Sequence, residues 1–282
     1  MRRRWMRCTY RANSGKDGRP PEAISVLGER EDLMMGFLLL FMVYAIVLSA
    51  ALARAGHRPQ SPPSSEAPRQ RPSRVLIVGA TGGTGRQLVT QALERGYAVT
   101  ALVRDPSRLQ VDHPQLTVIR GNVLDDATVD AAMRGQEAVL SALGHKRYFY
   151  PTRILSEGTR NILRAMEAHG VQRLVCETSL GIGDSVGRMG LYYTLFVIPV
   201  ILPFYFWDKT RQERGIAESS AEWVIVRPAA LTNGEKRGRS RHGRHVGSLL
   251  LTARISRADV ADFMLNQLES DRYLRTAPGV CW

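Results

Sequence analysis

A short segment rich in glycine and threonine carries the clearest chemical signal in the sequence. Residues 79–85 read GATGGTG, after an apolar β-branched run and before a stretch with helical spacing. At such a strand–turn–helix junction, one glycine permits the tight turn, a second lets the backbone approach a pyrophosphate, and a third lets the helix pack close to the sheet. We assign these roles to Gly79, Gly82 and Gly85. The helix N-terminus adds N–H donors and a partial positive charge, so the segment predicts a dinucleotide-binding turn. Its other predicted members, two of which add hydroxyl groups, are Thr81, Gly83 and Thr84.

The residues after the second apolar run distinguish between the two nicotinamide dinucleotides. An NAD-specific site places Asp or Glu there, where the carboxylate accepts hydrogen bonds from the ribose 2′-OH. Here Arg104 stands at that position, and Ser107 and Arg108 follow it. Guanidinium groups bind phosphate in a bidentate fork, so these residues predict a pocket for a 2′-phosphate and NADPH as the cofactor. The alternative is that both arginines are ordinary surface residues of a loop.

Alternating strand-like and helix-like segments position these residues. The predicted strands are residues 75–78, 97–103, 116–119, 138–143, 173–178 and 223–227. The predicted helices are residues 85–95, 127–133 and 152–169. Helical segments between nearly continuous apolar strands are typical of a parallel sheet covered on both faces. The pattern therefore predicts an α/β fold, a Rossmann-type doubly wound parallel sheet over residues 74–282, preceded by a single N-terminal transmembrane helix.

Residues 33–53 form an uncharged, apolar run. Its 21 residues would span about 30 Å as a helix, which matches the hydrocarbon core of a bilayer. We therefore predict a transmembrane helix, with a cleaved secretory signal as the alternative, because residues 51–53 read ALA and resemble a cleavage site. Arg54 and Arg58 make the C-terminal flank the more basic one, which predicts a cytoplasmic location for the domain.

The flanks of this run complete the predicted domain organisation. Residues 1–32 form a basic N-terminal segment, which would be an artefact of the start site if translation begins at Met34 or Met35. Residues 54–73 contain five prolines and four serines and are expected to form a disordered linker between the membrane and the domain.

The overall composition excludes several classes of protein. The net charge is +13, but residues 1–73 carry 12 Lys and Arg against 6 Asp and Glu, and residues 74–282 carry 27 against 20. No nucleic-acid-binding motif accompanies this charge, so we expect no nucleic acid partner. The three cysteines lie far apart and predict neither a disulfide framework nor a metal site. The expected partners are a small-molecule substrate and the membrane, while the oligomeric state stays open.

Taken together, these motifs resemble the atypical short-chain dehydrogenases/reductases with an NAD(P)H-binding domain, and within them the biliverdin IXβ reductase/flavin reductase group. The matching stretches are VLIVGATGGTG (75–85), GYAVTALVRDPSRL (96–109), GNVLD (121–125), SEGTRNILRAMEAHGVQRLV (156–175), ETS (177–179) and ISRADVADFML (255–265). The resemblance covers about 74–280. The chain departs from it at Asn122, beside the expected adenine, where the group has Asp. It also departs at Ala230, where the group has a His in its substrate pocket, and over residues 189–207. The last two departures predict a substrate other than biliverdin.

The resemblance implies further cofactor contacts at the ends of later strands. Asn122 and Val123 are expected beside the adenine, and Pro228 is expected to close the nicotinamide side. The residues expected near the nicotinamide ribose and ring are Ala142, Leu143, Gly144 and Thr178.

Three residues are candidates for the chemistry of the substrate. The resemblance places Ser179 at the active-site serine, although a serine that only caps a strand end is the alternative. Tyr205 and Lys209 have the Tyr-x-x-x-Lys spacing of typical short-chain dehydrogenases, which puts both side chains on one helix face. The lysine would lower the tyrosine pKa and hold the ribose. The alternatives are a chance spacing in an amphipathic helix and a surface ion pair of Lys209 with Glu213.

Two segments have no place in the dinucleotide site. Residues 191–207 read LYYTLFVIPVILPFYFW, which is too interrupted by proline for a second span. Three alternatives remain for it: an apolar lid over the substrate, a segment dipping into the membrane interface, and plain core. Residues 235–245 read EKRGRSRHGRH, which is either a solvated loop or a contact with anionic headgroups.

The sequence thus predicts a membrane-tethered, NADPH-dependent oxidoreductase that reduces a small conjugated acceptor such as a flavin, quinone or carbonyl compound. The alternative is a non-enzymatic redox sensor that binds NADP(H). A sugar-nucleotide epimerase or dehydratase is disfavoured, because the C-terminal part is small for a separate substrate domain.

Overall fold

The computed structural model describes residues 22–55 and 70–282. Helix α1 covers Glu22–Ala55 and contains an apolar stretch, Leu33–Arg54, with the length and composition to cross a membrane; a signal sequence near an N-terminus has the same properties. The chain divides into two compact units at Val43 and Tyr44. Most of the predicted basic segment and most of the predicted linker lie outside the described residues.

A single large sheet organises the domain. Its strands are β1 (Arg74–Val78), β2 (Ala98–Val103), β3 (Leu116–Arg120), β4 (Ala138–Ser141), β5 (Arg173–Glu177) and β6 (Glu222–Pro228), followed by β7 (Ala230–Thr232), β8 (Arg241–Gly243), β9 (Arg254–Ser256) and β10 (Gly279–Cys281). The order is β3-β2-β1-β4-β5-β6-β10-β8, and β7 pairs with β9 apart from it. Only β8 runs antiparallel to its neighbour in this sheet. The predicted doubly wound parallel sheet is therefore confirmed.

Helices cover both faces of the sheet. They are α2 (Gly83–Glu94), α3 (Asp126–Met133), α4 (Ile154–His169), α5 (Pro203–Ala217) and α6 (Arg257–Asn266). Strand β1 shows why both faces need cover: Val75 and Ile77 belong to one buried apolar cluster, and Leu76 and Val78 to the other. A strand that buries both of its faces has no polar alternation, which explains the continuous apolar runs in the sequence.

Helices α5 and α6 are absent from the sequence-based element assignment. Helix α5 begins with a proline at its first position, inside an aromatic run that masks the helical period. Helix α6 did carry a readable signal: the Ser256 hydroxyl accepts a hydrogen bond from the Asp259 N–H at 3.0 Å and donates one to the Asp259 carboxylate at 2.7 Å. The Ser-x-x-Asp spacing is a capping-box pattern in the sequence, and in the structure the serine hydroxyl caps the helix.

Residues 191–207 form an unusual connection into α5. Tyr193–Ile201 is a π-helix that contains Pro199, and α5 follows at Pro203. Val197 and Ile198 are buried, whereas Tyr192 and Trp207 are more than half exposed. The alternative that residues 191–207 belong entirely to the protein core is therefore wrong, because the outward side of this segment is exposed.

Helix α4 receives its N-terminal cap from another helix. The buried carboxylate of Asp208, in α5, accepts hydrogen bonds from the N–H groups of Leu155 (2.9 Å) and Ser156 (3.1 Å) and from the Ser156 hydroxyl (2.6 Å). These N–H groups belong to the first helical turn, which has no partner within its own helix. The contact fixes the position of α5 along α4.

We expect the substitution Asp208→Ala to lower the free energy of unfolding by about 2–4 kcal/mol, because it leaves buried donors of α4 without an acceptor. The matched control is Asp125→Ala. That carboxylate caps the exposed start of α3 through the Ala127 N–H, so its loss should cost about 1 kcal/mol. Chemical denaturation of both variants measures the difference. Equal losses would contradict the role of Asp208 in joining the two helices.

Candidate functional site

The glycine turn lies where the strand order reverses, between β1 and β4. Gly79 has a φ of +84°, and its carbonyl accepts the N–H of Gly82 at 2.9 Å. A Cβ atom added to Gly79 would lie 2.4 Å from the Ala142 carbonyl oxygen, and one added to Gly85 would lie 2.1 Å from the Gly79 oxygen. Both positions therefore require glycine. The crevice at such a reversal is the usual place for a dinucleotide in open α/β sheets.

The start of α2 is open to an anionic ligand. Gly82 precedes the helix and supplies no side-chain cap, so the N–H groups of the first turn have no side-chain acceptor among the described residues. The Arg257 side chain lies over Gly83, because a Cβ atom added to Gly83 would lie 2.4 Å from its Cδ atom. This guanidinium brings positive charge to the turn from α6. Sequence reasoning missed Arg257, since nothing in the local pattern links it to the turn.

The two threonines of the turn differ in their surroundings. Thr81 is half-buried, whereas the buried Thr84 hydroxyl donates a 3.0 Å hydrogen bond to the Glu177 carboxylate. The Thr84 side chain is therefore bonded to the last residue of β5. The Thr84 backbone N–H is left for the predicted phosphate contact. Burial raises the pKa of Glu177, while nearby Lys209, the Thr84 hydrogen bond and Arg257 lower it.

The predicted Tyr205 and Lys209 pair lies on α5 beside the ends of two strands. The buried Lys209 ammonium donates to the Leu143 carbonyl at 3.1 Å and to the Glu177 carbonyl at 2.8 Å. An ammonium has three donors, and the third has no hydrogen-bond partner among the described residues. A Cβ atom added to Gly144 would lie 3.7 Å from the Tyr205 hydroxyl. The structure thus brings the pair together with two of the expected cofactor residues.

Tyr205 is held by aromatic neighbours. His145 and Tyr148 meet its ring edge to face, at centroid distances of 5.0 and 5.9 Å. No described residue accepts or donates a hydrogen bond at its hydroxyl. Burial raises the Tyr205 pKa, and Lys209 opposes this shift without reversing it. Lys209 does act to lower the Tyr205 pKa, as predicted. The prediction is wrong for the net shift, which is upward, because desolvation of the phenolate has the larger effect.

The expected surface pair of Lys209 and Glu213 is not formed. Glu213 is fully buried and accepts two hydrogen bonds from the Arg227 guanidinium, at 3.0 and 2.6 Å. It also accepts the Thr178 hydroxyl at 2.6 Å, and Arg227 reaches Asp184 with its remaining edge. This network joins α5 to the ends of β5 and β6. The network was not predicted from the sequence, because Thr178, Glu213 and Arg227 are distant along the chain.

Ser179 lies one residue beyond that network. It is half-buried, and its hydroxyl donates to the Leu180 carbonyl at 3.0 Å. No hydrogen bond joins it to Tyr205 or Lys209 within residues 70–282. Its catalytic role stays a prediction.

The expected adenine end of the site lies at the ends of β2 and β3. Arg104 and Arg108 are exposed, and neither forms a salt bridge with a described residue. Asp105 organises the loop between them: it accepts the Ser107 N–H at 3.2 Å and hydroxyl at 2.7 Å, and the hydroxyl bond lowers its pKa. Two free guanidinium groups on an ordered loop suit a phosphate ligand.

The remaining expected contacts lie at strand ends along the same edge of the sheet. Asn122 follows β3, and its side-chain oxygen accepts the Leu124 N–H at 3.2 Å. The Val123 carbonyl accepts the Asn161 amide at 3.1 Å, and the Pro228 carbonyl accepts the Leu180 N–H at 2.9 Å. Parallel strands place these carboxyl ends together, so the predicted cofactor residues share one edge of the domain.

Comparisons with known proteins agree with this geometry. A family profile described as NAD(P)H-binding matches residues 79–271, more than half of the chain. An uncharacterized chloroplastic protein of Arabidopsis thaliana is 30% identical over 178 residues, which cover 58% of this chain and 61% of that protein. Among solved structures, a short-chain dehydrogenase/reductase of Veillonella parvula in complex with NADP has a TM-score of 0.64 at 19% identity, covering 75% of this chain and 95% of that one. ChuY, an anaerobillin reductase of Escherichia coli O157:H7, has a TM-score of 0.61 at 22% identity and covers 74% and 96%.

The fold and the glycine turn define a dinucleotide-binding protein with a Rossmann-type sheet. The chain belongs to the NAD(P)H-binding family. The resemblance stated from its motifs is confirmed, and so is the cofactor class. At these identities the likeness to the two solved structures concerns the fold, and the chain spans about three fifths of the Arabidopsis relative.

We expect Gly85→Ala to weaken NADPH binding at least about a hundredfold, because its Cβ atom would overlap the Gly79 carbonyl and displace the turn. The control is Gly215→Ala in the exposed part of α5, where an added Cβ atom meets nothing within 4 Å. That variant should bind normally and gain about 0.5–1 kcal/mol of stability from helix propensity. Fluorescence titration with NADPH gives the affinities. Normal binding by Gly85→Ala would contradict the placement of the pyrophosphate.

Proposed function

We propose that this chain is a membrane-tethered, NADPH-dependent oxidoreductase that reduces a small conjugated acceptor such as a flavin, quinone or carbonyl compound. The observation that carries the proposal is the position of Tyr205 and Lys209 beside Leu143 and Gly144 at the end of β4. A sheet edge that holds a dinucleotide turn, a half-buried tyrosine and a buried lysine can both bind the cofactor and deliver a proton.

The residues present fit a bound nicotinamide dinucleotide. Gly79 and Gly85 allow the close backbone packing that the turn needs, Gly82 gives the start of α2 no side-chain cap, and Lys209 keeps one donor without an acceptor among the described residues. Bound NADPH supplies the hydride. In this proposal, Gly79–Gly85 and the start of α2 bind the pyrophosphate, and the spare Lys209 donor holds the ribose. Arg104, Ser107 and Arg108 bind the 2′-phosphate.

Tyr205 is the proposed proton donor for the reduced acceptor. Its raised pKa keeps the hydroxyl protonated, which is the state a donor needs, and its hydroxyl has no partner among the described residues. Its proton passes to the acceptor atom that takes up the negative charge as hydride arrives. Ser179, at the end of β5, is proposed to orient the acceptor by a hydrogen bond.

We propose that α1 tethers the domain through Leu33–Arg54 and that the domain faces the cytoplasm. The support is the length and apolar composition of this stretch and the basic residues that follow it. A cleaved signal is the competing explanation, because an apolar N-terminal helix meets the same criteria.

We expect Tyr205→Phe to lower kcat about a hundredfold and to leave NADPH affinity unchanged, because the ring keeps its packing while the proton donor is lost. The wild-type rate should hold until the pH rises above the ordinary tyrosine value of 10.0, since the pKa is raised. Absorbance at 340 nm follows NADPH oxidation across flavins, quinones and aldehydes. Tyr148→Phe, which removes the hydroxyl of a neighbouring aromatic residue and keeps its ring, is the control. Tight NADPH binding by the wild type without turnover on any acceptor would contradict the enzyme and favour the sensor.

We expect Arg104→Ala to raise the KM for NADPH by about 10- to 100-fold and to change the KM for NADH little, because one charge-assisted phosphate contact is lost. Arg134→Ala, at the far end of α3, is a charge-matched control that should change neither constant. A wild-type preference for NADH would overturn the assignment of the 2′-phosphate pocket.

A further inference from the structure

Two segments of the domain expose apolar side chains to an extent unusual for a soluble surface. Leu249, Leu250 and Leu251 are consecutive and 63%, 71% and 76% exposed. Tyr192 and Phe196, at the start of the π-helix, are 60% and 45% exposed. Large exposed apolar patches mark interaction sites in soluble domains. We refer to residues 191–200 and 249–251 together as the apolar surface.

The two segments form one continuous surface. The Leu191 N–H donates to the Leu250 carbonyl at 3.3 Å, and a Cβ atom added to Gly190 would lie 2.6 Å from the Leu251 backbone. The rings of Tyr192 and Phe196 stack at 5.8 Å and extend the surface along the π-helix.

The inner side of the same π-helix packs near the candidate site. Ile198 is buried, and its Cδ1 atom would lie 3.2 Å from a Cβ atom added to Gly181, two residues beyond Ser179. At the end of the segment, exposed Phe204 immediately precedes Tyr205. The apolar surface is therefore the outer side of an element whose inner side packs close to the end of β5 and which leads directly into Tyr205.

The second compact unit also contains the last turns of α1, and these lie beside the π-helix. The Tyr44 hydroxyl donates to the Pro199 carbonyl at 3.0 Å. Leu48 and Leu52 line a cavity of about 600 Å³ that Trp207 also lines. Arg160 and Arg211 line the same cavity. The last turns of α1, from Tyr44 onward, thus pack beside residues 191–200, and basic side chains line the neighbouring cavity.

Basic residues also border the other end of the apolar surface. The Arg188 carbonyl accepts the Ser248 N–H at 2.8 Å, next to the three leucines, and the Arg188 guanidinium donates to the His245 carbonyl at 3.1 Å. Arg241 and Arg244 precede this contact in the chain. Apolar and aromatic side chains bordered by cations complement a bilayer with anionic headgroups, where each basic residue adds about 1 kcal/mol.

We propose that the apolar surface inserts into the boundary between headgroups and acyl chains of an anionic bilayer, so that the site accepts a membrane-dissolved acceptor of the quinone type. This rests on the membrane tether of the proposed function. A contact of this kind turns the π-helix side of the domain toward the lipid. An apolar acceptor then reaches Tyr205 along the π-helix without entering water.

The experiment uses the full chain in vesicles of phosphatidylcholine mixed with phosphatidylglycerol. An environment-sensitive NBD fluorophore is attached at Phe196→Cys or Leu250→Cys, in a Cys8→Ser background because Cys176 and Cys281 are buried. The control is Gln115→Cys, which is exposed just before β3, at the opposite edge of the sheet. We expect blue-shifted emission and quenching by doxyl-labelled lipid at the two surface positions and neither at the control position.

A functional arm uses Leu250→Asp and the conservative control Leu250→Met. We expect Leu250→Asp to lower kcat/KM for a long-chain quinone dissolved in the vesicles by about tenfold, the effect of losing one inserted leucine. The rate with a short-chain, water-soluble quinone should stay unchanged in both variants, because Leu250 lies outside the proposed catalytic groups.

The outcomes separate this inference from the proposed function. Probes that stay in water at Phe196 and Leu250, on a chain that resists carbonate extraction from the vesicles, overturn the inference and leave the tether intact. If the emission shifts to the blue only as the protein concentration rises, and doxyl-labelled lipid does not quench it, then a second copy of the chain covers the surface. That result overturns the inference. Release by carbonate refutes the tether itself. Lipid quenching without NADPH oxidation supports the membrane contact and refutes the enzyme.

Discussion

A buried ammonium group joins the parts of this domain on which its proposed chemistry depends. Lys209, 1% exposed, donates to the carbonyl groups of Leu143 and Glu177, at the ends of β4 and β5. Removing a charge from water costs several kcal/mol unless hydrogen bonds replace the lost hydration. The two carbonyl groups supply part of that replacement, and a third donor is left for a ligand. The same bond pattern sets the height of α5 over the sheet and therefore the position of Tyr205.

The two carboxylates near this lysine on α5, those of Asp208 and Glu213, find their partners on other elements and not on α5 itself. Asp208 caps α4, and Glu213 binds Arg227 and Thr178. Breaking any one of these contacts would leave a buried group without a partner, which is more costly than losing the contact alone. Helix α5 is thus held at three points along its length. A rigid mounting of this kind is what a group that must deliver a proton at a fixed distance requires.

The segment before α5 has two sides with opposite demands. Its inner side packs beside Gly181, close to the candidate site, and its outer side leaves aromatic and aliphatic residues uncovered. A soluble protein gains nothing from such exposure, since covering this area would be favourable by about 25 cal/mol per Å². Pro203 has no N–H to offer the Pro199 carbonyl four residues earlier, and the Tyr44 hydroxyl supplies a donor instead. Because the candidate site lies close to the apolar surface, a membrane-dissolved acceptor is physically consistent with this arrangement.

The sequence by itself determined the parallel sheet and the dinucleotide turn. Continuous apolar strands, a helical period and glycines at fixed spacing are local properties, and the turn needs glycine because Cβ atoms would strike the backbone at Gly79 and Gly85. The tertiary structure decided everything that depends on residues far apart in the chain. Arg257 lies against Gly83, although 174 positions separate the two residues. The Thr84 hydroxyl binds the Glu177 carboxylate. Glu213 forms its ion pair with Arg227 and none with Lys209. Helical spacing places Lys209 and Glu213 on one face of α5, but only the packed domain shows that this face is buried. There Lys209 binds the carbonyl groups of Leu143 and Glu177, and Glu213 binds the Arg227 guanidinium.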